Sequence, residues 1–506
     1  MPGVIIEAGI SFLLIFTPFA FGGVEGWALG VLQIVAGIVT ATWALDRFRQ
    51  RGSTPMRRAR AGLGIWVPIG VFVVLVVVQL IPLPPAWIAR ISPATHALYA
   101  GTLPGYAEGK DFRGEDLVPW LIADQADALP PVPEDAKPLP PAMEAGEPPF
   151  PIPPGVRRPL SIYPHETRLN LTLFLCYVGV FAAVLAHYNT RERIARLMVV
   201  GTFSALAVSV FGIVQKLTWT GKLYWVRETS HLNIFGPFVE RNTYAAFAAV
   251  WVAVAAGMAL ASLRRLREGR SEELPRLLLW GAAAVGISVG IFFSLSRGGI
   301  LSTGFAMLIL AGLLLYYGRS VGEVGLLAAV LAVSAVFLMW LGPEALIERV
   351  GTLAEGHGVP SLQHRIEEWK RSIPMIEQNA LIGTGLGTFQ FAFMRHAPPG
   401  ELWSTHLDNE YLELVCDMGI PGAILLIWGA GAWLLRVARP AALKGQPERH
   451  LYIGAAAGMA GLFLHSVTNA NLQIPANGVL VPILAAALLN LVALASRGSR
   501  RSVEPS

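Results

Sequence analysis

The stretch "GIFFSLSRGGILSTGFAML" (Gly290–Leu308) holds one arginine, Arg297, with about fifteen largely apolar residues on either side. Two apolar runs of this length, joined by a few small and polar residues, read as two helices that cross a bilayer and turn at Arg297. A charge at the boundary of hydrocarbon is costly and marks either a topological anchor or a functional group.

Working outward, the same pattern recurs along the whole chain. Of its 506 residues, 54% are hydrophobic and only 14% charged, a balance that excludes a soluble globular protein. Apolar runs of spanning length fall at about 4–21, 26–45, 63–82, 170–187, 197–215, 243–262, 277–295, 299–317, 324–342, 411–435, 451–468 and 477–495. The fold class is therefore an all-α integral membrane protein with about twelve transmembrane helices. The first run has neither a basic leader nor an A-x-A-like cleavage site, so it is expected to be retained as a span.

Arginine placement orients the array. "DRFRQRGSTPMRRARAG" after span two, Arg191, Arg193 and Arg196 after span four, "LRRLREGRSEELPR" after span six, Arg319, the Arg436–Arg449 connection and the "RGSRR" tail all follow even-numbered spans. Both termini are expected in the cytoplasm, and Arg297 on the opposite, outward side. The net charge of +5 comes mostly from these flanks and carries no nucleic-acid meaning. The two cysteines, Cys176 and Cys416, lie in separate spans and suit neither a disulfide framework nor a cysteine metal site.

The expected organisation is spans one to three over 1–82, a loop over 83–165, spans four to nine over 166–342, a large loop over 343–410, and spans ten to twelve with a tail over 411–506. The 83–165 loop contains "LPPVPEDAKPLPPAMEAGEPPFPIPPG" and reads as extended, polyproline-like chain, with a short helix near "PPAWIARISPATHALYAG". Two readings remain open for it, a spacer or a docking surface for a partner or saccharide. The 343–410 loop holds "SLQHRIEEWKRSIPMIEQ", in which Leu362, Ile366, Trp369 and Ile373 recur at helical spacing, as in an amphipathic helix on the membrane surface. "LIGTGLGTF" follows and is turn chemistry, since no Lys-Ser/Thr completes a phosphate loop.

The outward ends concentrate the titratable groups. Arg241 and Asn242, in "FVERNTYAAF", open span six, where free backbone N–H groups and the helix dipole favour anions. Two guanidinium groups at helix ends, Arg241 and Arg297, suit a diphosphate, because guanidinium binds phosphate oxygens in pairs and stays charged. "HLDNEYLELVCDMGIPG" (His406–Gly422) opens span ten, with Asp408 or Asn409 as cap, Glu410 in the first turn, and Gly419, Pro421 and Gly422 as a kink. Backbone groups freed by that kink are tolerable where they line a cavity. His406 can exchange a proton near neutral pH, oriented by Asp408 or Glu410. Asp408 and Glu410 could alternatively hold a divalent cation, although two carboxylates make a thin metal site.

Together, "FVERNTYAAF", "SLSRGGIL", "RIEEWKRSIPMIEQNALIGTGLGTF" and "HLDNEYLELVCDMGIPGAILL" resemble the O-antigen ligase and polymerase superfamily, over roughly 235–435. The resemblance implies a bacterial inner-membrane glycosyltransferase of GT-C-like fold, working on the periplasmic face in lipopolysaccharide or exopolysaccharide assembly. It implies an undecaprenyl-diphosphate-linked glycan donor, a lipid A–core or glycan acceptor, and neither metal nor nucleotide cofactor. By motif, Arg241 and Arg297 correspond to the diphosphate-binding arginines and His406 to the loop histidine near the acceptor. Relatives often carry histidine directly before the Asn, where this chain has Asp408, so either His406 or Asp408 is the expected base. Asn409, Glu410, Arg365, Asn242 and His364 are supporting candidates. The competing class is a transporter or flippase of lipid-linked glycans, which calls for ionisable groups at span midpoints. Here they gather at the ends, Asp417 being the notable exception.

Overall fold

The described residues are predominantly helical, an arrangement that satisfies the backbone groups of a chain in hydrocarbon within each segment. A computed structural model describes residues 2–49, 62–103, 106, 157–229, 233–317, 359–396, 405–438, 443–446 and 448–501, with single residues between 323 and 332. The helices are α1 (Pro2–Phe19), α2 (Gly26–Arg49), α3 (Leu63–Leu80), α4 (Pro85–Ile91), α5 (Pro93–Thr102), α6 (Pro164–His187), α7 (Arg191–Leu217) and α8 (Arg241–Arg267). They continue with α9 (Leu274–Ser294), α10 (Arg297–Tyr317), α11 (Val359–Gln378), α12 (Phe389–Phe393), α13 (Glu410–Val437), α14 (Arg449–His465), α15 (Pro475–Gly478) and α16 (Leu480–Arg501). A two-residue hairpin ladder pairs Lys222–Leu223 with Arg227–Glu228.

Among the described residues, nine helical segments are long and apolar enough to cross a membrane, α3 is a shorter apolar helix, and α14 is a buried helix of 17 residues. Every expected span falls on one of these helices except 324–342, which lies almost wholly outside the described residues, as does most of the Pro-rich loop. The ends of that loop are nevertheless tied together. Leu83 and Arg158 exchange backbone hydrogen bonds, and the Tyr99 hydroxyl of α5 reaches the carbonyls of Pro159 and Ser161.

Helix α8 is the axis of the molecule, buried along nearly all of its apolar length. Its run "AAFAAVWVAVAAGMALAS" lacks a polar face, which suits a helix surrounded on all sides. It packs against α9, α10 and α14. A Cβ on Gly257, Gly454 or Gly458 would fall 2.6–2.7 Å from a carbonyl oxygen of the facing helix, so only glycine allows α8 and α14 to pack backbone to backbone. Leu308, Ile427 and Leu435 remain exposed on the outer helices, where lipid would cover them.

Helix α13 breaks at Gly419, whose φ of 64° is left-handed. The expectation that a cavity tolerates the freed backbone is corrected here: protein groups satisfy it. The N–H groups of Thr384 and Gly385 bond the Cys416 and Asp417 carbonyls, Ile420 N–H bonds Ala380, and the Gln79 amide of α3 bonds Ile382 and Asp417. The glycine-rich turn "LIGTGLGTF" is therefore the plug of the kink. A Cβ on Gly383 (φ 71°) would lie 2.1 Å from the Asp417 carbonyl oxygen. Gly383→Ala should cost at least ~2 kcal/mol through backbone strain and overlap, read as a lowered thermal midpoint of the detergent-solubilised protein.

The amphipathic helix forms as expected at α11, and part of its apolar side turns towards the protein. Met375, with Trp369 and Ile376, packs into a small core with Phe389, Phe393, Leu407, Leu412 and Cys416. Ile373 stays exposed. Apolar contacts thus hold α11 against α12 and the start of α13.

Candidate functional site

The first turn of α13 sorts its polar residues by direction. The Asn409 side chain accepts from the N–H groups of Tyr411 and Leu412, both at 3.1 Å, so Asn409 is the cap. Asp408, relieved of capping, accepts from Arg365 Nε of α11 at 2.7 Å. His406 Nδ1 lies 3.0 Å from Glu413 Oε1, and Glu413 Oε2 accepts from Leu407 N–H at 2.9 Å.

The partner of His406 is therefore Glu413, correcting the expectation of Asp408 or Glu410. Successive helical residues point about 100° apart. Glu410 consequently faces away, accepting from Leu472 N–H at 3.0 Å while its own N–H reaches the Ser466 carbonyl. Glu413, a turn further on, faces back beneath the chain that precedes the cap. Asp408 and Glu410 are thus held by different partners.

Burial alone would push the His406 imidazole towards neutrality. The Glu413 carboxylate outweighs it, by charge and by hydrogen bond, and raises the histidine to about 9. The His406 side chain is nevertheless 39% accessible, against 2% for Glu413, so an incoming hydroxyl can reach the ring while the carboxylate stays covered.

The second half of the site is built where α8 and α10 begin. Arg241 is the first residue of α8 and Arg297 the first of α10. Between α9 and α10 the chain reverses through Leu295 in a left-handed conformation (φ 56°). Ser296 Oγ accepts from Gly299 N–H at 3.1 Å, capping α10, and donates to Asn242 Oδ1 at 2.7 Å. The Asn242 amide donates in turn to Glu240 at 2.9 Å and to Asn469 at 3.4 Å. One asparagine thus ties together two helix ends, each opening on an arginine. Two such ends offer backbone N–H groups, favourable dipoles and guanidinium forks to a bound anion.

The connection after α14 joins the two halves: Asn469 accepts from Asn242 of α8, while the Ser466 carbonyl and the Leu472 N–H bond Glu410 of α13. Glu240 is raised above the usual carboxylate range by burial and by the nearby Asp408 charge, while Arg365 works against the rise. His465, buried at the end of α14, lies against Gly298, where a Cβ would come 2.5 Å from its Nε2. His364, by contrast, faces Glu368 of its own helix at 3.6 Å.

Several site residues are not evident from the sequence pattern. Glu413 sits mid-motif among other acids, and only the turn of the helix selects it. Asn469, Asn471 and Asn477 knit the connection between α14 and α15: Asn469 donates to Asn471, and the Asn477 amide donates to the Thr243 carbonyl of α8, both at 3.0 Å. A signal for them does exist, since "SVTNANLQIPANG" places three asparagines and a glutamine between two apolar runs.

The Arg365–Asp408 bridge is open to a double-mutant test. Its side chains are 22% and 34% accessible, so solvent weakens but does not remove it. Arg365→Gln and Asp408→Asn should each lower the thermal midpoint. The double variant should cost less than their sum, with a coupling of about 1 kcal/mol.

Residues 282–427 match the family model described as O-antigen ligase. No curated protein matches the chain. The matched segment contains Arg297, Arg365, His406, Asp408 and Glu413, whereas Arg241 and Asn242 lie outside it and join through the Asn242–Ser296 hydrogen bond.

Proposed function

From the O-antigen ligase match over 282–427 and the geometry it encloses, we propose that the chain is a membrane glycosyltransferase that moves a glycan from undecaprenyl diphosphate to an acceptor sugar. The observations that carry this reading are two helix ends headed by Arg241 and Arg297 and tied through Asn242, an accessible His406 backed by buried Glu413, and the 466–472 connection that hydrogen-bonds both Asn242 of α8 and Glu410 of α13.

Glu413 fixes the ring so that neutral His406 keeps its proton on Nδ1, which makes Nε2 the basic nitrogen. The acceptor hydroxyl oxygen forms its bond to the anomeric carbon and gives its proton to Nε2. The bond from that carbon to the diphosphate oxygen breaks, and its electron pair leaves with the diphosphate. Attack opposite the leaving group inverts the anomeric centre. Arg241 and Arg297 stabilise the charge that develops on the departing diphosphate. Asp408, engaged by Arg365, is a positioning residue for the loop rather than the base. On the orientation that the arginine distribution favours, this site faces the periplasm, where a lipid-held donor meets a soluble or lipid-anchored saccharide.

The test supplies purified protein with an undecaprenyl-diphosphate-linked oligosaccharide and lipid A–core, in EDTA. Glycan transferred to lipid A–core identifies a ligase, and longer chains on the lipid carrier identify a polymerase. No transfer, together with movement of labelled donor across vesicles, would replace this reading with a transporter.

A further inference from the structure

The arginine-rich end of the molecule, opposite the site, has an open cleft of about 470 Å³ between α1 and the connection from α6 to α7. Its charged wall is His187, Arg193 and Arg196 around a single acid, Glu7. Glu7 lies 3.0 Å from His187 Nε2, 3.4 Å from Arg193 Nε and 2.9 Å from Arg196. Two permanent positive charges and a histidine thus face one negative charge. Arg193 is fixed further by the His187 carbonyl at 2.9 Å and the Asn189 side chain at 3.3 Å. Arg196 is 59% accessible and extends into solvent.

The other wall belongs to α1. Val4, Ala8 and Ser11 line the cleft at helical spacing, and exposed Phe12 and Ile15 continue that side of the helix towards its middle. The cleft therefore passes from a cationic mouth at the helix ends into an apolar flank. An inorganic cation is excluded by the surplus of positive charge, and a wholly apolar ligand by the charged mouth.

We propose that this cleft binds a phosphate group, and that its source is the headgroup of an anionic phospholipid whose acyl chain lies along α1. Basic pockets between helices at the membrane boundary recognise such headgroups through charge-assisted hydrogen bonds. The small side chains of Ala8 and Ser11 leave room for a chain beside the helix, and Val4, Phe12 and Ile15 give it apolar contact. Glu7 plays two parts: it holds the basic groups in register, and it lowers the affinity for an added anion.

The full chain, purified in neutral detergent, is titrated with phosphatidylglycerol, phosphatidylcholine and inorganic phosphate, with occupancy read by native mass spectrometry and the thermal midpoint in parallel. Phosphatidylglycerol should bind in preference to phosphatidylcholine and raise the midpoint. Arg196→Gln should weaken it about tenfold, as the loss of one charge-assisted bond implies. Glu7→Gln should strengthen it, a response that a purely structural ion pair would not give. Inorganic phosphate protecting as well as the lipid, and with the same dependence on Arg196 and Glu7, supports the phosphate site but assigns it to a free anion. Equal binding of the two lipids, or binding by both variants unchanged from wild type, overturns the proposal.

Discussion

Glycan transfer by the wild-type chain should rise with pH through neutrality and level off near pH 9, because His406 is held protonated up to about that value. A general base works only in its neutral form, and at pH 7 the Glu413 carboxylate keeps His406 as an imidazolium. The profile of kcat/KM in the substrate-free enzyme's terms should therefore climb as one proton is lost. Glu413→Gln removes the counter-charge and leaves burial to act, which moves this limb to lower pH. The same change loosens the ring's orientation, so the plateau should fall. His406→Ala should cost roughly 10²–10⁴ in kcat, the ordinary contribution of a positioned acid–base group. Full activity in His406→Ala would move the base elsewhere, with Asp408 first in line. A pH profile unchanged by Glu413→Gln would separate Glu413 from the proton transfer. Stability should run the other way. A histidine raised from 6.5 to about 9 on folding contributes stability that is complete below about pH 6.5 and is lost as pH rises through 9. The fall in thermal midpoint over that window should shrink in Glu413→Gln.

Arg297→Ala and Arg241→Ala should each lower kcat about 10²–10³-fold, the scale for removing one donor from a site of developing negative charge. The effect falls on kcat more than on KM, because charge on the diphosphate oxygen grows as its bond to the sugar breaks. Arg297→Lys keeps a charge but loses the planar fork, so it should recover only part of the rate. The two arginines sit on helix ends joined through Asn242 and Ser296, so the double variant should be less impaired than the product of the single losses. Steady-state kinetics at matched folded yield measure all four proteins. Loss confined to KM would make the arginines donor-binding groups without a share in the transition state. Additive losses would show that the two helix ends act independently.

Much of this architecture is legible in the order of residues. The all-helical membrane class follows from apolar runs of spanning length, because hydrocarbon leaves a backbone no partner but itself. Arg297 between two such runs, Arg241 and Asn242 at the start of another, and the polar opening of α13 are each located by the change from polar to apolar sequence. The kink at Gly419 is legible from glycine and proline. What fills the kink is not, since the turn that plugs it and Gln79 of α3 come from distant parts of the chain.

Hydropathy and helix periodicity are local properties, so the chain alone marks the apolar segments of spanning length and the ends that hold charge. The pairings come from packing: His406 with Glu413 rather than its nearer acids, Asp408 with Arg365, and Asn242 with Ser296 and Asn469. Four acids within ten residues are chemically equivalent on paper. The 100° step of the helix and the segments that meet it give each a different neighbour: Arg365 for Asp408, Leu472 for Glu410, His406 for Glu413 and Gly387 for Asp417.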